Sequence, residues 1–227
     1  LTLSTLHTNT VCSTGQLVAS IKIVPLAIDQ RYLDRAEVLR ERFGPLVTLK
    51  PFLPLKVGAV VTGSEIVNGR IEDGFGEMVA PRITRFGARI VSRELVGDDP
   101  EAIAETIKGQ IEAGAELIVV TGGLSVDPDD RTRQGVRRAG ARQVFYGSPV
   151  LPGAMFLYAR LGRVPILGVP ACVFYNHHTV FDLLLPRILA GETLTRSEIN
   201  ALGHGGLCQL CDECSFPHCP FGKGGIA

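Results

Sequence analysis

The sequence predicts an α/β domain built on a mostly parallel sheet, and three observations carry that prediction. Val57–Val61, Leu117–Val120 and Val164–Val169 are short apolar runs rich in β-branched residues, each bounded by turn residues. Unbroken apolar runs, rather than alternating ones, mark strands covered on both faces, as strands of parallel sheets are. Segments with helical spacing lie between the runs, and strand–helix alternation implies crossover connections. All three runs also end in turns suited to ligand contact, at 62–65, 121–132 and 168–172. In an open parallel sheet, ligands sit outside the carboxyl ends of the strands.

Taken in order, residues 1–55 form an N-terminal segment, either a small β element or the end of an appended domain, with a connector. Leu17–Val24 suggests a strand. Tyr32, Leu33, Ala36, Leu39 and Phe43 make a helical stripe that Gly44-Pro45 ends. Pro51 and Pro54 mark the connector. The chain begins with Leu1, and residues 1–10 have no signal-peptide character, so an upstream piece is expected.

The main domain is expected over 56–195. After the first strand, Asp73 is placed to cap a helix carrying Phe75, Val79, Ile83 and Phe86. Pro81 lies inside that pattern. An interior proline costs about 3 kcal/mol, so a kink or late start is expected there, with Gly87 as the stop. Ala88–Ser92 reads as a shorter strand. Asp98-Asp99-Pro100 announces a helix: a carboxylate accepts from free N–H groups, and proline suits the first turn. That helix runs to about Ala113, with Ile103, Ile107 and Ile111 one turn apart. Beyond the central strand, 135–140 reads as a short helix and 143–146 as a brief strand. Residues 154–161 read as a short helix and 173–189 as a long one carrying His177 and His178.

The central loop, Thr121-Gly122-Gly123-Leu124-Ser125-Val126-Asp127-Pro128-Asp129-Asp130-Arg131-Thr132, is the stretch that points to chemistry. Glycines allow close backbone approach and positive φ. Bare N–H groups beside a hydroxyl suit a phosphate-like anion. Carboxylates behind them suit a divalent cation that bridges the anion to the protein.

Composition narrows the options. The 227 residues are 45% hydrophobic and 20% charged, a soluble globular balance. A formal net charge of zero argues against a nucleic-acid footprint, and no apolar run has membrane-spanning length. A cytoplasmic location is expected. The chain lacks G-x-x-x-x-G-K-S/T, lacks G-x-G-x-x-G after a strand, and lacks a nucleophile elbow.

Several motifs resemble the molybdopterin-binding domain of molybdenum-cofactor biosynthesis proteins, a family of adenylyltransferases, molybdate-insertion enzymes and gephyrin-type fusions. The resemblance covers roughly 56–195. Thr121–Asp130 resembles the T-G-G-x-G/S loop with its closing aspartate, which falls on Asp130. Thr62-Gly63-Ser64-Glu65 resembles the T-G-N/D-E turn. Val96–Glu101 resembles the segment of the second functional aspartate, which falls on Asp98, and Pro152-Gly153 matches a family turn. The resemblance implies a three-layer domain, often trimeric, that binds molybdopterin or its adenylylated form with Mg²⁺ assisting. On that reading Thr62, Gly63, Ser64, Glu65, Thr121, Gly122, Gly123, Ser125, Thr132 and Pro170 hold the ligand, and Asp98 and Asp130 do the chemistry. Catalysis would be nucleotidyl transfer, using ATP, or molybdate insertion. The alternatives are a non-catalytic carrier or metal or redox sensor, and a nucleotide pyrophosphate hydrolase. A homo-oligomer, trimer or dimer, and cofactor-pathway or molybdoenzyme partners are further expectations. The chain departs from the family at Pro170-Ala171-Cys172-Val173, where insertion enzymes carry Pro-Gly-Asn-Pro, and in its ending.

That ending, 196–227, is Cys-rich. Cys208, Cys211, Cys214 and Cys219 follow the spacing C-x2-C-x2-C-x4-C, whereas Cys12 and Cys172 stand alone. Four thiolates this close suit one tetrahedral Zn²⁺ or one iron–sulfur cluster. His204 or His218 can replace a thiolate.

Overall fold

A computed structural model describes residues 1–67, 74–124 and 131–224. Asp73, Ser125, Asp127, Asp129 and Asp130 lie outside the described residues. The chain divides into two compact units, Leu1–Pro51 and Phe52–Ala227.

In the first unit, β1 (Thr2–Thr5) pairs antiparallel with β2 (Ala19–Lys22). Helix α1 (Gln30–Phe43) begins at Asp29, whose carboxylate accepts from Arg31 N–H, and closes at Gly44. The spacing foretold the helix. No residue of α1 is buried, however, so its apolar stripe builds no core.

The second unit holds a six-stranded sheet. Its strands are β3 (Lys56–Thr62), β4 (Arg89–Val96), β5 (Leu117–Thr121), β6 (Arg142–Tyr146), β7 (Leu157–Leu161) and β8 (Val164–Val169). They lie in the order β4-β3-β5-β8-β7-β6. β4, β3, β5 and β8 are mutually parallel, and only β7 runs against its neighbours. Every residue of β5 is buried. Leu117 and Val119 pack on one face, Ile118 and Val120 on the other. Two covered faces explain the unbroken apolar run.

Helices cover both faces, giving three layers. On one side lie α4 (Pro100–Glu112), through Ile103, Ala104 and Ile107, and α5 (Thr132–Arg138), through Val136. On the other lie a π-helical turn (Phe75–Val79) that runs into α3 (Ala80–Thr84), then α6 (Val180–Leu189) and α7 (Arg196–Ala201). Pro81 stands in the first turn of α3, where its missing N–H costs nothing, and that is how the chain accommodates it. Asp99 caps α4 by accepting from Glu101 and Ala102 N–H.

Three expectations need correction. The strand expected at 88–92 continues to Val96, because β4 pairs with β3 from Arg89 to Val96, with a register shift that skips Val91. The helix expected at 154–161 is instead β7. Gly162, at φ +59°, opens a two-residue turn that folds Leu157–Leu161 back onto β8. Residues 173–189 are not one helix. A 3-10 turn (Ala171–Phe174) ends at Tyr175, and α6 starts afresh at Thr179. There a capping box forms: the Thr179 hydroxyl accepts from Phe181 N–H, and Asp182 accepts from Thr179 N–H. His177 and His178 therefore precede the helix.

The Cys-rich tail packs within this unit. Leu151 and Leu207 form a bridge, flanked by bonds from Leu151 N–H to Gly206 O (2.8 Å) and from Cys208 N–H to Leu151 O (2.8 Å). Phe221 is buried in the core. No described helix is long and apolar enough to cross a membrane.

Candidate functional site

The pairing register brings the turns to one edge. Thr62 pairs with Val96, Val61 with Thr121, and Thr121 with Val169. Four parallel strands thus end side by side, and the segments that leave them share one rim.

The neck of the central loop is locked by threonines. The Thr62 hydroxyl donates to Thr121 O (3.1 Å) and meets the Thr132 hydroxyl at 2.8 Å. Thr132 donates to Gly122 O (3.0 Å). Two hydroxyl protons are shared among three contacts, so when one threonine donates to the other, one of the two carbonyls gives up its hydroxyl donor. Thr62 and Thr132 are buried, and their hydroxyls frame the rim instead of facing outward. The buried Thr121 hydroxyl has no hydrogen-bond partner among the described residues.

Glycine is required at this neck. Gly122 has φ +90°, and a Cβ there would lie 2.1 Å from the carbonyl oxygen of Thr62. Gly123 has φ +53°, and its Cβ would lie 2.5 Å from the Thr132 hydroxyl oxygen. The backbone of the loop runs against β3 with no room for side chains.

Beside the neck, a second clasp joins the turns after β3 and β4. Ser64 N–H donates to the Asp98 carboxylate (2.8 Å), and Asp98 N–H donates to the Ser64 hydroxyl (3.4 Å). Gly63 N–H donates to Val96 O (3.0 Å). Helix α2 (Ser64–Val67) leaves from here, with Glu65 exposed in its first turn. Asp98 is exposed too.

The third turn follows β8. Pro170 is buried and opens the 3-10 turn. Burial pushes the Cys172 thiol above its ordinary pKa of 9.0, against smaller lowering contributions from backbone hydrogen bonds and Arg82. At neutral pH this thiol is protonated and a poor nucleophile.

Sequence reasoning missed what holds that turn. The Arg82 guanidinium donates to Val173 O (3.0 Å), to Asn176 O (2.7 Å) and to the buried Asp182 carboxylate (2.9 Å). Arg85 and His178 stand 3.6 and 3.7 Å from the other Asp182 oxygen, beyond hydrogen-bond reach. The readable signal was Thr179-x-x-Asp182, a capping box.

The structure thus brings together Thr62, Gly63, Ser64, Asp98, Thr121, Gly122, Gly123 and Thr132. The predicted four-thiolate centre is not assembled: among the described residues no group of three or more His, Cys, Asp or Glu could hold a metal ion.

Residues 58–190 match the family described as "Probable molybdopterin binding domain". The chain belongs to that family. Among curated relatives, it is 39% identical over 83 residues to a "CinA-like protein" from Mycobacterium leprae, covering 37% of this chain and 19% of that protein. It is 34% identical over 89 residues to a "CinA-like protein" from Mycobacterium tuberculosis, covering 39% and 21%. The chain therefore spans about a fifth of the length of these relatives. Among solved structures, a molybdopterin biosynthesis moea protein from Pyrococcus horikosii superposes with a TM-score of 0.50 at 22% identity, covering 70% of this chain and 40% of that one. That likeness concerns the fold.

Proposed function

We propose that the rim binds the phosphate of molybdopterin, or of its adenylylated form, in the making or handling of the molybdenum cofactor. The observation that carries this reading is the convergence of the Gly122-Gly123 neck with the Ser64–Asp98 clasp at the ends of adjacent parallel strands. Backbone amides of a tight glycine turn are suited to a phosphate, and they do not titrate. Membership of the family supports the pterin as the rest of the ligand.

Magnesium fits the same arrangement. That ion is bound through one or two carboxylates, water and substrate phosphates. Asp98 is exposed at the rim and supplies one carboxylate. Asp130, Ser125 and Glu65 are proposed to complete the ligand contacts. With ATP bound, such a rim would carry out nucleotidyl transfer mainly by positioning and charge stabilisation. A cytoplasmic oligomer that hands the cofactor to other pathway proteins or molybdoenzymes is the wider setting we propose.

Mass spectrometry of small molecules released from the natively purified chain tests the reading. A pterin phosphate is the expected species. Retention of nucleotide alone, with hydrolysis of its pyrophosphate bond, would replace it with the pyrophosphatase reading. Incubation with molybdopterin, ATP and Mg²⁺ then separates enzyme from carrier, since only an enzyme yields an adenylylated or molybdate-loaded product.

A further inference from the structure

The tail carries an inference independent of the rim. Cys208, Cys211, Cys214 and Cys219 are all free thiols, and all four line one cavity of about 50 Å³ with His178 and Phe216. We propose that these four cysteines close on a single Zn²⁺ ion, which staples the tail to the domain.

The anchoring argues for this. The loop between Cys208 and Phe221 is held at both ends. At one end Cys208 N–H donates to Leu151 O at 2.8 Å. At the other, Phe221 is 4% exposed, and Gly222 N–H donates to Gly205 O at 2.9 Å. Gly222 lies so close to Leu183 that a Cβ would sit 2.4 Å from its side chain. In between, the Phe216 ring stacks on the His178 ring, with centroids 4.2 Å apart. The fold has therefore already met the entropy of closing this loop, which a metal would otherwise have to meet.

The four thiols divide into two kinds. Cys208 and Cys219 are half-buried at the pinned ends and pack against the core. Cys211 and Cys214 are exposed on the span between them. A tetrahedral ion with Zn–S bonds of about 2.3 Å would draw the sulfurs to about 3.8 Å from each other.

The spacing is compatible with zinc. Gaps of two and four residues both fall in the zinc-ligand range, whereas the bacterial cluster run ends with a gap of three. No other cysteine is near enough in sequence: Cys172 lies 36 positions before Cys208, as 208 − 172 shows. Metal binding releases thiol protons and is coupled to the order of the loop.

The test uses the full chain, purified without added metal and with reductant, and its zinc content measured per chain. One equivalent is expected. The apo chain should take up one Co²⁺ and show the spectrum of a tetrahedral thiolate site, and zinc should raise its melting temperature. Cys211→Ser and Cys214→Ser, both at exposed positions, should keep the fold and weaken zinc binding by more than about tenfold. Cys12→Ser should leave binding unchanged. A chain that holds no zinc and gives no tetrahedral cobalt spectrum overturns the proposal. So does a brown protein with a reducible iron–sulfur chromophore, or a tail whose cysteines are paired as disulfides. A chain that fails to bind pterin but retains zinc leaves this site standing and removes only the rim reading.

Discussion

The Asp98 carboxylate accepts a hydrogen bond from Ser64 N–H at 2.8 Å across 34 positions of sequence, tying the turn after β4 to the turn after β3. On the proposed reading its charge serves a ligand while one oxygen holds the rim together. Asp98→Asn separates these roles, because the amide oxygen can still accept from Ser64. The variant should keep its melting temperature within a few degrees and lose Mg²⁺-dependent ligand affinity. Asp98→Ala should additionally lose about 1 kcal/mol of stability. Calorimetric titration of both variants, with and without Mg²⁺, measures the two roles. Equal affinity in Asp98→Asn and the parent chain would remove the carboxylate from the proposed site.

Two glycines with similar φ should respond differently to alanine. A Cβ added at Gly114, at φ +97°, would meet nothing within 4 Å among the described residues. Gly122, at φ +90°, has the Thr62 carbonyl oxygen at 2.1 Å. Gly114→Ala should cost only the backbone penalty of about 1–2 kcal/mol. Gly122→Ala should cost more, because β3 or the loop neck must also shift. Urea unfolding of the pair gives the difference, and equal midpoints would mean the neck yields freely.

The threonine cluster should behave as one unit. Thr62→Val and Thr132→Val each remove a hydroxyl from a buried network and leave partners unsatisfied, at about 1–3 kcal/mol each. The double variant should cost less than their sum, since the second change removes groups the first had orphaned. Simple additivity in a double-mutant cycle would show that the 2.8 Å contact contributes nothing.

Acid stability has an identifiable source in α7. Partial burial pushes the Glu198 carboxyl up, but hydrogen bonds from Thr195 and the Arg187 guanidinium outweigh it and hold the group below its ordinary 4.5. A depressed folded pKa favours the ionised form in the folded chain. The resulting stability is therefore present above the unfolded pKa and lost as pH falls through the lower folded value. Glu198→Gln should flatten that acid limb and cost up to about 1 kcal/mol at neutral pH. Stability curves of the two chains that stay parallel below pH 4.5 would assign the acid sensitivity elsewhere.

What could be read from the chain depended on how local its cause was. Strand β5 was legible because both of its faces are buried, which leaves five apolar or β-branched residues in a row. The cap of α4 was legible because Asp99 bonds within its own next turn. β7 was misread because Ala154, Met155, Leu157 and Ala159 favour a helix locally. Pairing with β8 overrides that preference, and the only local hint is Gly162. The rim glycines were legible as glycines, but their necessity comes from Thr62, 60 positions away from Gly122 (122 − 62). The Thr62 and Thr132 hydroxyls, legible in sequence as candidate ligand contacts, lie within hydrogen-bond reach of each other, a contact across 70 positions that no local pattern announces.

The least legible element gives the strongest expected effect. Arg82 and Asp182 are 100 positions apart, and their side chains are only 11% and 1% exposed. Arg82 also carries the turn after β8 through Val173 O and Asn176 O, so the ion pair fixes the third side of the rim. Asp182→Ala strands a guanidinium in a low-dielectric site and frees Thr179 N–H at the start of α6. It should cost about 3–5 kcal/mol, as removal of one partner from a buried pair does. Arg82→Ala should cost a similar amount and leave the Asp182 carboxylate with Thr179 N–H as its hydrogen-bond donor, Arg85 and His178 standing farther off. Hydrogen exchange should accelerate at residues 173–176 in both variants while β5 stays protected. Uniform acceleration through β5 would mean that the pair stabilises the whole domain and does not specifically hold the turn.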